Sequence, residues 1–213
     1  MDAEKRKTIE SLAYPSLFVA ILWLLKLTEY FFNVSYASYG IMPRKLNGLP
    51  GIAISPLIHG NFHHLISNTL PLLILGIIIC YFYRKIAFEV FFWVYVLTGI
   101  WVWVSADGEG YHIGASGLIY GFASFLLFSG LFRKDLRSIA LALLVAFVYG
   151  GLVWGLLPTH KGVSWESHFF GSLSGGFCAY YYRKVDIGGN SNENDKKGTS
   201  DPMEEGNNES LQA

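Results

Sequence analysis

Six long apolar stretches separated by short polar connections dominate the chain. They run roughly from Ser16 to Phe32, His64 to Tyr83, Ala87 to Val104, Gly117 to Phe132, Ser138 to Leu157 and His168 to Tyr182. Each approaches the ~20 residues that a helix rising 1.5 Å per residue needs to cross ~30 Å of hydrocarbon. No soluble domain needs so many, and the pattern predicts an all-α polytopic membrane protein with six transmembrane helices. The first stretch follows the basic run Lys5, Arg6, Lys7, as a signal peptide would. It is longer than a signal-peptide apolar region and has no small-residue cleavage signature, so it reads as a retained helix. Lys26 and Glu29 lie inside it three residues apart, a spacing at which they are expected to pair near the membrane surface.

The connections set the orientation. With the N-terminus inside, the inner segments hold Lys5, Arg6, Lys7, Arg84, Lys85, Arg133, Lys134, Arg137, Arg183 and Lys184, ten in all, against Arg44, Lys45 and Lys161 outside. That imbalance places both termini on the cytoplasmic side. The first outer loop, Asn33 to His63, is the longest connection and carries Gly40, Pro43, Gly48, Pro50, Gly51 and Pro56; a loop of that length carries function or lies on the membrane surface. From Asp186 onward the chain is rich in Asn, Gly, Glu, Asp and Lys with almost no large apolar residue, and disorder is expected. The expected organisation is a cytoplasmic segment 1–15, a membrane domain 16–185 and a cytoplasmic tail 186–213. No repeat of the transporter type is visible.

Composition narrows the partners. Of 213 residues, 52% are apolar and 15% charged, and 16 basic side chains balance 16 acidic ones. A neutral chain has no surplus of cations to displace counterions from a phosphate backbone, which argues against nucleic acid and for the lipid bilayer. The two cysteines, Cys80 and Cys178, both lie in apolar runs and exclude a disulfide scaffold.

Strongly polar residues inside spans are costly, which makes each a functional candidate. His64 and Asn68 share one face in the first turns of the second span, Ser116 stands within Gly114-Ala115-Ser116-Gly117, and His168 opens the sixth span. Spans two, four and six run from outside to inside, so all four residues sit at ends that share one side and can meet in one pocket below the outer surface. A Ser with a His suffices for nucleophilic acyl chemistry, the imidazole taking the hydroxyl proton and later protonating the leaving amine. Asp107, Glu109 and Glu166 are poorly placed for a third member, so a dyad is expected. His64, the Asn68 amide and the backbone N–H of Ser116 are suited to hold an oxyanion. Gly117 with Gly121, and Gly171 with Gly175, form small-xxx-small pairs that let two backbones approach. Tyr120, four residues after Ser116, is placed to pack on the imidazole.

Plainer roles exist for the same residues. Ser116 could be a packing residue among glycines, and His168 an interfacial histidine bonded to a loop carbonyl. His59, His63 and His64 are metal-ligand types, but no His-Glu-x-x-His helix is present and no metal or other cofactor is expected. Two deep carboxylates, which an aspartyl intramembrane protease needs, are also missing. Trp93, Trp101, Trp103 and Trp154 read as interfacial belt and packing.

The segments His59-Gly-Asn-Phe-His-His64-Leu-Ile-Ser-Asn68, Gly114-Ala-Ser116-Gly117-Leu-Ile-Tyr120-Gly121 and His168-Phe-Phe-Gly171-Ser-Leu-Ser-Gly175 resemble the signature segments of the rhomboid intramembrane serine proteases. The resemblance covers roughly Ser35 to Tyr182. It implies a six-helix rhomboid-like bundle of the basic prokaryotic form, in a cytoplasmic membrane, that cuts transmembrane protein substrates in or near the bilayer. It also implies Ser116 as nucleophile, His168 as base, His64 and Asn68 as oxyanion donors, and His59 as a support for the loop. The first loop lacks the Trp-Arg pair of many members; Arg44 follows Pro43 instead. A catalytically silent relative that binds transmembrane clients, and a solute transporter, are the competing classes. Silent relatives are expected to lack the Ser or the His, and both are present here.

Overall fold

The structure, a computed structural model, describes residues 2–108, 110–158 and 164–187. Glu109, Lys161 and the tail beyond Ile187, which bear on the outer loops and on the expected disorder, lie outside the described residues. Seven helices follow in chain order: α1 (Ala3–Phe32), α2 (Gly51–Ile54), α3 (Phe62–Phe82), α4 (Ala87–Ser105), α5 (Ser116–Arg133), α6 (Leu136–Tyr149) and α7 (Trp165–Tyr181). Short α2 belongs to the first loop, which leaves α1, α3, α4, α5, α6 and α7 as the six expected spans. Five of these segments, with α6 extended to Leu156, are long and apolar enough to cross a membrane. The sixth, α7, has 17 residues and packs against α4 and α5 inside the bundle.

Two boundaries differ from the sequence reading. The first helix starts at Ala3, thirteen residues before the apolar stretch, because the polar segment Glu4 to Glu10 is held by a pair within the helix, Arg6 Nε donating to Glu10 Oε1 at 2.7 Å, and by a bond from α3, Tyr81 Oη donating to Glu4 Oε1 at 2.7 Å. The fifth span is not one α-helix. It changes at Gly150 into a 3₁₀ helix, Gly150–Leu156, where two adjacent glycines weaken the α-helical preference and Pro158 follows the end.

The helix α5 occupies the centre. Twelve of its 18 residues are buried, whereas α6 on the periphery buries few. The outer faces carry large apolar side chains such as Phe147, 91% exposed, and Phe88, 75% exposed. Exposed apolar surface on that scale requires lipid as its solvent. At the C-terminal end of α5 Arg133 closes the bundle, donating to the carbonyls of Tyr182 (3.1 Å) and Val185 (2.8 Å) beyond the last turn of α7.

Glycines set the spacing of α5 and α7. A methyl group added at Gly171 would lie 3.1 Å from Gly117 Cα, and one at Gly175 would lie 2.9 Å from Gly121 Cα. The two backbones are in direct contact along two turns, the geometry expected of small-xxx-small pairs. On the other side α1 packs on α3, with the Pro15 ring against Gly76 and Trp23 Nε1 donating to Thr69 Oγ1 at 3.1 Å.

The expected Lys26–Glu29 pair forms at 2.9 Å, and it does more than neutralise itself. Lys26 Nζ also donates to the carbonyls of His59 (2.9 Å) and Gly60 (3.2 Å), so its three protons all have acceptors. The other Glu29 oxygen, Oε1, accepts the Tyr36 N–H at 2.6 Å. One buried ion pair therefore joins the C-terminal end of α1 to both ends of the first loop. The middle of that loop is held by Arg44, whose guanidinium donates to the Ala106 carbonyl at 2.8 Å, and by a single β-bridge between Ile41 and His112.

Two outcomes are expected in thermal or denaturant unfolding of the detergent-solubilised chain. Gly175→Val should destabilise by roughly 1–3 kcal/mol or more, because the added carbons meet backbone that cannot yield, while Gly151→Ala, in open space, should change stability by under about 0.5 kcal/mol. Lys26→Met should cost roughly 3–5 kcal/mol by stranding a Glu29 that is only 8% exposed, and adding Glu29→Gln should recover part of that loss. Stability unmoved by Lys26→Met would contradict the network.

Candidate active site

Three helix starts build the site. Asn61 caps α3 by accepting the His64 N–H at 2.8 Å, which fixes His64 in the first turn and Asn68 one turn deeper on the same face. Gly114 turns the chain into α5 at φ +113°, a conformation that only glycine adopts without strain, and its N–H donates to the Ser55 carbonyl at 2.9 Å. The His64 ring lies directly against the Cα of Gly114, so a side chain at this position is excluded on two grounds. Ser116 is the first residue of α5, half-buried, and the opening N–H groups of that helix have no intrahelical acceptor. Ser164 caps α7 by accepting the Ser167 N–H at 3.2 Å and sets the register of His168, which is buried in the first turn.

Ser116 and His168, 52 residues apart, meet with Ser116 Oγ 2.9 Å from His168 Nε2. The other ring nitrogen, Nδ1, lies 2.9 Å from the Gly155 carbonyl oxygen. A carbonyl only accepts, so Nδ1 carries the proton and Nε2 turns its lone pair to the serine hydroxyl. The Tyr120 ring stacks on the imidazole with centroids 4.1 Å apart and planes 5° from parallel. Gly155 itself has no room for a Cβ, which would press on the Tyr120 hydroxyl and lie 3.2 Å from His168 Nδ1. The 3₁₀ segment that ends the fifth span thus delivers the carbonyl that orients the imidazole.

The tautomer of His59 follows by the same logic. The Ala115 N–H points at His59 Nε2 at 3.4 Å and can only donate, so Nε2 is an acceptor and Asn68, 3.1 Å away through Nδ2, presents its NH₂ to it. One amide proton of Asn68 is used; the second remains for another acceptor. Burial, followed by the nearby His64 charge, pushes His59 down to about 3, the Leu57 carbonyl opposing weakly, and the ring stays neutral. His59 thereby ties Asn68 to the residue before Ser116. His63 faces outward and joins none of this. Among the described residues no group of three His, Cys, Asp or Glu side chains gathers as a metal-holding set.

All four residues singled out in the sequence therefore sit at the starts of α3, α5 and α7, on one side of the bundle. Sequence reasoning missed the Gly155 carbonyl, because any residue carries one and only the fold selects it. It also missed His112, discussed below.

Comparison with known proteins places the chain in a family. The family described as Rhomboid domain matches residues 48–185. The uncharacterized protein Rv1337 of Mycobacterium tuberculosis is 39% identical over 175 residues, covering 76% of this chain and 71% of that protein. The uncharacterized protein ML1171 of Mycobacterium leprae is 37% identical over 171 residues, covering 76% and 68% respectively. No solved structure matches the chain significantly. With the family matched across the three segments that build the site, and with its helices clothed in apolar surface, this chain is a multi-pass membrane protein of the rhomboid family.

Proposed function

We propose that this chain is an intramembrane serine endopeptidase that cleaves transmembrane protein substrates with Ser116 as nucleophile and His168 as general base. The observation that carries the reading is the His168 ring, protonated at Nδ1 by its bond to Gly155 and offering the Nε2 lone pair to Ser116 Oγ at 2.9 Å. A bond to the Gly155 carbonyl alone would also serve an interfacial histidine; the alignment of Nε2 on the Ser116 hydroxyl is what a base requires.

In the reaction Ser116 Oγ attacks the scissile carbonyl as its proton passes to His168 Nε2, and the imidazolium then protonates the leaving amine. Water repeats the sequence to release the acyl group. The charge that develops on the ring is met by the Gly155 carbonyl at Nδ1 and by the Tyr120 face, a cation–π arrangement in place of a carboxylate. The oxyanion is met by the Ser116 N–H, the second Asn68 amide proton and His64. His59 and Gly114 position these donors, and Gly117 permits the approach of α7. No cofactor enters any step.

The charge asymmetry of the connections puts both termini and the segments 1–15 and 186–213 in the cytoplasm, with residues 16–185 as the membrane domain. The starts of α3, α5 and α7 then face outward, and the membrane is the cytoplasmic membrane of a prokaryote. A transmembrane substrate hides its peptide bonds in helical hydrogen bonds and must unwind before cutting. Small or helix-breaking residues at its outer end are therefore favoured.

The test is a fluorophosphonate label together with cleavage of a tagged transmembrane substrate. Wild type should react with the label and cut; Ser116→Ala and His168→Ala should do neither while remaining folded. Labelling indifferent to Ser116→Ala would leave a silent binder of transmembrane clients as the better reading. Asn68→Ala should retain folding and lose roughly 10²- to 10³-fold in rate, the usual loss for one oxyanion donor. His168 acts as a base only when neutral, so cleavage should fall on acidification in a single titration; a rate flat from acid to neutral pH would point to another base. A substrate with Gly at its outer end should be cut faster than the same substrate with Leu.

A further inference from the structure

A third histidine stands beside the site and takes no part in the chemistry described so far. His112 lies in the connection between α4 and α5, four residues before Ser116. Its backbone forms the bridge to Ile41 of the first loop, with Ile41 N–H to His112 oxygen at 3.0 Å and the reverse bond at 2.8 Å. Its ring Nδ1 lies 2.6 Å from Ser164 Oγ. Ser164 is the cap of α7 and holds the Ser167 backbone N–H at 3.2 Å and the Ser167 hydroxyl at 2.7 Å. His112 thus joins three separate pieces of chain, its backbone tying the segment before Ser116 to the first loop and its ring tying that segment to the cap of the helix that carries His168.

We infer that His112 is a positioning residue for the proposed proteolysis, clamping the start of α7 to the segment before Ser116 so that the Ser116–His168 distance is fixed. The inference rests on the reading of Ser116 and His168 given above. The glycine contacts Gly117–Gly171 and Gly121–Gly175 set how closely α5 and α7 lie along their length. Gly117 also faces the Ser167 carbonyl in the first turn of α7, a packing contact, and His112–Ser164 adds a lateral hydrogen bond at the cap of that turn. The bonding is self-consistent. Burial holds His112 below its ordinary titration range, with the Glu166 charge opposing, so the ring is neutral with one N–H and one lone pair. Ser164 Oγ accepts the Ser167 N–H and has one proton and one lone pair left, enough for His112 on one side and Ser167 Oγ on the other.

Displacement of a base by a fraction of an ångström is expressed in turnover before it is expressed in substrate binding or in folding. The experiment compares the full-length wild type with His112→Phe, which keeps the ring and removes the bond, and His112→Asn, whose amide overlays the Nδ1 position. On a transmembrane substrate His112→Phe should lower kcat by about 10-fold or more with KM within about twofold of wild type, and slow fluorophosphonate labelling in parallel. His112→Asn should restore kcat to within about threefold of wild type. Ser164→Ala breaks the same bond from the other side, so His112→Phe should cost little further in that background. The clamp is overturned if His112→Phe retains kcat within twofold, if its loss falls in KM, if Asn is as slow as Phe, or if the two changes are fully additive. Should His112→Phe fail to fold, the Ser164→Ala and His112→Asn pair decides by the same criteria. Ser116→Ala runs alongside: if it labels and cuts like wild type, the proteolytic reading itself has failed, whereas an inert Ser116→Ala beside a fully active His112→Phe removes the clamp alone.

Discussion

Direct contact between the backbones of α5 and α7 is the constraint on which the rest of the molecule depends. Ser116 and His168 lie on different helices, and a hydroxyl reaches an imidazole at 2.9 Å only if the helices nearly touch. Four glycines remove the side chains that would keep them apart, and the backbone of Gly117 and Gly121 fills the space that a methyl at Gly171 or Gly175 would need. In lipid, where apolar side chains gain nothing by leaving one another's company for the core, such close packing is a main source of association between helices. The same glycines thus contribute to cohesion and to site geometry.

The polar site is arranged almost entirely with neutral groups. Carrying an ion into the bundle is expensive, and a carboxylate behind His168 would need partners of its own. A backbone carbonyl, already present and already desolvated, orients the ring at no added charge, and the Tyr120 face lays a diffuse negative surface beside it. The buried ion pair in the neighbourhood, Lys26–Glu29, is kept near the C-terminal end of α1, where it is fully bonded and serves the first loop. His59 carries that order inward, its carbonyl held by Lys26 and its ring by Asn68 and Ala115. A continuous set of bonds runs from α1 through the loop to the residue before Ser116. Arg44 on the Ala106 carbonyl and the Ile41–His112 bridge hold the middle of the first loop.

Much of this was legible in the chain. Hydrocarbon thickness dictates the length of an apolar run, so six spans could be counted, and where the fifth and first differ from expectation the causes are local: paired glycines at 150 and 151 and polar helix pairs before residue 16. Ser116, His64, Asn68 and His168 stand out because polar groups are rare in spans, and their shared side follows from alternating helix direction. Tyr120 on the imidazole followed from a spacing of four residues along one helix. Lys26 with Glu29 was visible as a pair, for the same reason of spacing.

Sequence by itself determined the number of apolar spans and which polar side chains stand at their ends, because those depend on transfer from water to lipid and on periodicity along one helix. Only the tertiary structure decided which backbone atoms serve them. The Gly155 carbonyl behind His168, the Ala115 N–H on His59 and the His112–Ser164 bond join residues between 13 and 56 positions apart. Every residue has a carbonyl and an N–H, and a histidine in a loop is unremarked until folding brings its partner. The choice among identical groups is made by packing alone, and packing is a property of the whole bundle.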